Sequence, residues 1–293
     1  RRLSIDIDII VPKSVKIAEI NEILKNIVRT SSFTRYEEQE RHLSQIPKAH
    51  FKLFYESPFN QSEVYVLLDV LFEENPYSRL DSTDIVCPFI DTIPPNVTVK
   101  VPSIADILGD KLTAFAPNTT GILYDKEKEM EIIKQLFDIE SLFDQLSTTN
   151  GVKDTFIRCA EQELNYRQLT EMNYENVLDD IFKTAIIIGG RGSFDKETFL
   201  KLENGIRRIK SHIINRNYIV EEAVVSASKA AYLSMLLKYR QEDIEKYHPK
   251  ETLPELEGVP LFKKMAKIKN FSPEAYYYFA KAQELIRESE KTK

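Results

Sequence analysis

The chain reads as an α+β fold, with a small mixed sheet in its first third and a helical domain after it. Three observations predict this. Residues 4–9 alternate polar and apolar, and residues 64–72 form a largely apolar run bounded by turn residues, so both read as strands. From Ser103 onward apolar residues return every three or four positions, the period of an amphipathic helix. Between the two patterns, residues 75–96 are rich in Pro, Asn and Asp and read as turns with short extended pieces. The expected boundary falls at Pro102, giving a sheet domain over residues 1–102 and a helical domain over residues 103–293.

The elements follow in order. Ile5, Ile7 and Ile9 alternate with Ser4, Asp6 and Asp8 in the first strand, which Pro12 ends. Ser14 offers a cap, and Val15, Ile17, Ile20, Ile23, Leu24 and Ile27 predict a helix over residues 15–29. Residues 34–47 read as a connection or a short exposed element. Strands are expected from Phe51 to Tyr55, from Val64 to Phe72 and from Val97 to Val101. Ser103, with Asp106 three residues on, is an acidic variant of the capping box, and Pro117 ends the helix that it starts. Further helices are expected near residues 126–146, 152–165, 174–188, 195–215, 217–239 and 273–289. Residues 189–192 hold three glycines and could form an anion-binding nest; they lack the Lys-Ser/Thr of a phosphate-binding P-loop, and a helix terminator is the expected reading.

Composition narrows the function. The 293 residues are 42% hydrophobic and 29% charged, an ordinary globular composition, and the length suggests two structural units. No apolar run is long enough to span a bilayer, and the charged opening shows no signal peptide. A chain whose first residues already lie in a strand of interest is expected to continue a motif that starts further upstream. Cys87 and Cys159 are isolated, which argues against a disulfide framework and fits a reducing cytoplasm. His42, His50, His212 and His248 are scattered without zinc-ligand spacing. A net charge of −6 argues against a wholly basic nucleic-acid binder and leaves room for local basic patches.

Asp6 and Asp8 share one face of the first strand, with α-carbons about 6.5–7 Å apart. Carboxylates at that spacing suit a hard divalent cation, Mg²⁺ or Mn²⁺, of the kind that sits with substrate phosphates. A solvated edge strand with ordinary acids is the alternative. Asp69 lies inside an apolar strand, where its desolvation calls for a partner: a salt bridge, a hydrogen bond or a metal. Hairpin-joined strands carrying Asp6, Asp8 and Asp69 would present three acids to one point, as two-metal displacement at phosphorus requires. Lys111 lies beside the apolar stripe of its helix, and Asp138 at the border of the next; each also reads as an ordinary surface residue. Two basic clusters, Arg207, Arg208, Lys210, His212 and Arg216, then Lys263, Lys264, Lys267 and Lys269 with Tyr276–Tyr278 behind, could hold a nucleic-acid backbone and stack bases. Charged helix faces balanced by nearby Glu are the commoner explanation.

Taken in order, Arg2-x-Ser4-x-Asp6-x-Asp8, the strand acid Asp69, the segment from Pro102 to Ala114 with Lys111, and Lys134-Gln135-Leu136-Phe137-Asp138-Ile139 closely resemble the AbiEii/AbiGii nucleotidyltransferase toxins, a branch of the polymerase-β-like superfamily. The resemblance covers residues 1–146 by motif and the remainder by helical character. It implies a small mixed-sheet nucleotidyltransferase domain followed by a helical domain, with the active site in the cleft between them. It also implies that Asp6 and Asp8 bind metal with Asp69 as third acid, and that Ser4 matches the serine ahead of the pair. Lys111 would contact the NTP triphosphate, and Asp138 would be the general base. Transfer of NMP to a hydroxyl acceptor such as RNA or tRNA, in a phage-defence toxin restrained by a cognate antitoxin, follows from the same resemblance. Three departures stand out. The family's Gly-Gly-Thr/Ser turn ahead of the strand is absent. Lys134-Gln135 stands where the family has Arg-Asp, and no Arg follows Lys111 in residues 117–120. They keep two alternatives open: an inactive nucleotidyltransferase fold that binds a partner, and a transferase acting on small-molecule hydroxyls, as antibiotic-modifying relatives do.

Overall fold

The computed structural model describes residues 2, 4, 6–39, 46–86, 91–214, 216–250, 252–255 and 264–291. Leu3, Ile5, His42, Cys87 and Lys263 lie outside the described residues. The fold is α+β, in two compact units, Arg2–Pro76 and Tyr77–Lys293.

The first unit contains β1 (Asp6–Val11), α1 (Ile17–Thr30), β2 (Arg35–Glu38), β3 (Lys48–Glu56) and β4 (Glu63–Phe72). They form a sheet in the order β1-β4-β3-β2, antiparallel except that β1 runs parallel to β4. The expectation that hairpin-joined strands carry the acids is corrected here. Parallel neighbours need a long crossover, and α1, β2 and β3 supply it; the hairpin is β3–β4. One face is closed by α1, whose Ile20 and Leu24 pack on Ala49, Phe51, Leu53 and Val70. Ile7 and Ile9 point the same way from an edge strand and stay 51% and 38% exposed. Ser14 lies ahead of α1 and does not start it; the Glu19 carboxylate accepts the Lys16 N–H at 2.9 Å, which is half of a capping box.

The second unit opens with an antiparallel ribbon, β5 (Leu80–Asp84) and β6 (Thr98–Pro102). It continues with α2 (Ile104–Ala114), α3 (Glu129–Phe143), α4 (Val152–Tyr166), α5 (Tyr174–Gly189), α6 (Lys196–Ile209), α7 (Val220–Lys238) and α8 (Pro273–Lys291). The units divide ahead of Pro102, where the periodicity changes, because the ribbon is tied to the helices. Buried Asp106 on α2 accepts the backbone N–H groups of Ser78 (2.8 Å) and Arg79 (3.2 Å). It also accepts the hydroxyls of Ser103 and of Thr155 on α4, both at 2.5 Å. Burial works to raise this carboxyl's pKa, but the four hydrogen bonds outweigh it and hold the carboxyl below the ordinary aspartate range.

Helix α7 is buried on every side from Ala223 to Leu237 except Val225, as befits the central element of a helical core. Its one lysine there, Lys229, is satisfied by Asp144 at 2.8 Å and Glu274 at 2.9 Å. Helices α2 and α4 cross closely at Gly109, where a Cβ would meet the Val152 carbonyl oxygen at 2.6 Å. Gly190 caps α5 and Gly192 has φ +83°, so the glycine-rich turn does terminate a helix. Among the described residues, no helix is long and apolar enough to cross a membrane.

Candidate active site

The strand register decides where the three acids stand. Asp8 pairs with Asp69 across the parallel β1–β4 ladder, and Asp6 pairs with Leu67. Paired residues of neighbouring strands project to the same face, and residues two apart on one strand do too. Asp6, Asp8 and Asp69 therefore stand on one face of the sheet, opposite the face that α1 covers, with Asp8 and Asp69 on strands about 4.8 Å apart. Asp6 and Asp8 are exposed, and the Asp69 side chain is 30% exposed. Three carboxylates on one open face are a fitting donor set for Mg²⁺ or Mn²⁺. Among the described residues, no three acid, His or Cys side chains are gathered closely enough to hold an ion as they stand. A cation on this face would need the carboxylates to turn toward it.

Asp69, half-buried in its apolar strand, has a hydrogen-bond partner. His50, its antiparallel neighbour on β3, places Nδ1 at 2.7 Å from Asp69 Oδ1. An ionised carboxylate can only accept, so Nδ1 carries the hydrogen. Read along the chain, His50 was one of four scattered histidines. Its place on the polar face of β3, between Lys48 and Lys52, was the signal available in the sequence, and it becomes specific only through the β3–β4 register. Ser4 is exposed and precedes β1.

In the second unit, Lys111 on α2 and Asp138 on α3 come together, Nζ to Oδ2, at 3.4 Å. Their side chains are 28% and 18% exposed, so the pair is partly desolvated between α2 and α3 and does not lie on an open surface. Asp106 at the start of α2 and Gly109 at its crossing with α4 hold α2 in the position that brings Lys111 to Asp138. One turn before Asp138, the Gln135 Oε1 atom is buried without a hydrogen-bond partner.

The aromatic part of the second basic cluster is corrected by the structure. Tyr276, Tyr277 and Tyr278 are at most 5% exposed and pack in the helical core, so they offer no stacking platform. Lys264 donates to the Ser193 carbonyl at 3.0 Å, while Lys267 and Lys269 are exposed. Arg216 of the first cluster is held by buried Glu140 at 2.5 Å. Arg207, Arg208 and Lys210 remain exposed at the C-terminal end of α6.

The first unit thus carries Asp6, Asp8 and Asp69 on one sheet face, and the second carries the Lys111–Asp138 pair. The model of the family described as nucleotidyl transferase AbiEii toxin, type IV TA system, matches residues 1–244, and the chain belongs to that family. It is thus a nucleotidyltransferase of a toxin–antitoxin family, which implies an antitoxin partner. No curated protein and no solved structure gives a significant match.

Proposed function

We propose that this nucleotidyltransferase moves a nucleoside monophosphate from an NTP to a hydroxyl acceptor on RNA or tRNA. The observation that carries the metal-dependent reading is the Asp8–Asp69 register, which sets Asp6, Asp8 and Asp69 on one open face. These three residues would hold Mg²⁺ or Mn²⁺, which when bound would neutralise phosphate charge and orient the triphosphate. Ser4, at the entry to β1, would contribute a hydroxyl to the phosphates. Lys111 would exchange its contact with Asp138 for the triphosphate, as a point charge. Asp138, released from the lysine, would accept the proton of the acceptor hydroxyl. The acceptor oxygen then bonds to the α-phosphorus as the bond to the β-phosphate oxygen breaks, and pyrophosphate leaves.

The exposed cations Arg207, Arg208 and Lys210 support an RNA acceptor, since they can meet a phosphate backbone. A cytoplasmic setting and a role in phage defence complete the reading, with activity held in check by the cognate antitoxin. The test is incubation with Mg²⁺, each labelled NTP and total RNA. Label in RNA, lost in Asp6→Ala and Asp8→Ala, is the expected result. Label in small molecules only would replace the acceptor. No transfer at all, with cell toxicity unchanged in both variants, would remove the enzymatic reading.

A further inference from the structure

We infer that His50 is the positioning residue for the third acid: it fixes the Asp69 carboxylate by a hydrogen bond to Oδ1 and so leaves Oδ2 to serve a divalent cation. The inference rests on the metal reading of Asp6, Asp8 and Asp69. Three observations lead to it. His50 and Asp69 are directly paired in the β3–β4 ladder, with Nδ1 and Oδ1 at 2.7 Å. The His50 side chain is only 14% exposed, so solvent competes little for that bond. Asp69 is also the register partner of Asp8, so the same carboxylate stands between the histidine on one strand and an acid on the other.

The physical consequence is directional. A strand aspartate on an open face has a soft terminal torsion, and a carboxylate beside other carboxylates turns away from them when no cation is present. A donor anchored on β3 removes that freedom from one oxygen. Outer partners of this kind orient ligands and commonly carry tenfold or greater effects on metal affinity, about 10–100-fold.

Mn²⁺ titration of the full-length protein by calorimetry tests this without reference to turnover. Wild-type protein is expected to bind, and Asp8→Asn to lose binding. His50→Leu is expected to weaken Mn²⁺ binding by about tenfold or more. His50→Asn places an amide N–H where Nδ1 stood and is expected to restore most of the affinity. If His50→Leu does not fold, His50→Ala carries the same expectation. Unchanged affinity in the truncated variant, or His50→Asn as weak as His50→Leu, would overturn the role of His50. Absence of Mn²⁺ binding by wild-type protein would overturn the metal reading itself, and with it this inference.

Discussion

Lys111 Nζ lies 3.4 Å from Asp138 Oδ2, joining α2 to α3 through a partly desolvated ion pair. The two residues stand 27 positions apart, and only helix packing makes them neighbours. This pairing separates two kinds of loss. Lys111→Ala is expected to lower transfer by roughly 10²-fold or more, through the missing triphosphate contact. It should also lower stability by about 1 kcal/mol, since a partly buried carboxylate loses its cation. Asp138→Asn keeps the shape and is expected to lower kcat by roughly 10²–10⁴-fold with little change in KM for NTP. A large rise in KM with kcat intact would assign Asp138 to binding instead.

Asp8→Asn is expected to abolish transfer, read by the labelled-NTP assay, and Mn²⁺ binding, read by calorimetry. Chelation of wild-type protein with EDTA should abolish transfer, and Mn²⁺ should restore it. Transfer that survives chelation would count against the cation.

Gly109→Ala is expected to destabilise by about 1–3 kcal/mol, because its Cβ would press on the Val152 carbonyl oxygen and the Phe156 nitrogen, both backbone atoms that cannot give way. Thermal unfolding measures it. A neutral result would show that α2 and α4 can separate without cost.

Asp106 carries a pH prediction. Its folded carboxyl sits below the unfolded value of about 3.9, so the unfolded chain binds protons first as pH falls. The stabilisation is therefore complete above about pH 4 and is lost as pH drops through the folded value. Urea unfolding of wild-type protein and Asp106→Asn should converge below pH 4 and diverge above it. Asp106→Ala, which strands the Ser78 and Arg79 N–H groups and the Thr155 hydroxyl, should cost about 3 kcal/mol at pH 7.

Arg207→Ala with Arg208→Ala should weaken RNA binding uniformly across sequences and reduce its salt slope by about 2. Filter binding at several salt concentrations reads this directly, and an unchanged slope would place the RNA elsewhere.

Most elements and their order are legible in the sequence; β2, in a polar connection, and β5, in a turn-rich stretch, lack a clear periodic signal. Strand alternation, helical spacing, the Ser103 cap and the glycine terminator are local signals, each written within a few residues of the structure that it specifies. The chain also carries in itself that Asp6 and Asp8 share a face, because that follows from the two-residue period of a strand. Which strands lie side by side does not follow from any period. The long-range hydrogen-bond ladder placed β1 parallel to β4, set Asp69 against Asp8, and turned a scattered histidine into its partner. Packing likewise sank Tyr276–Tyr278 into the core and brought Lys111 to Asp138. Periodicity assigns a side chain to a face; only the folded chain assigns that face its neighbours.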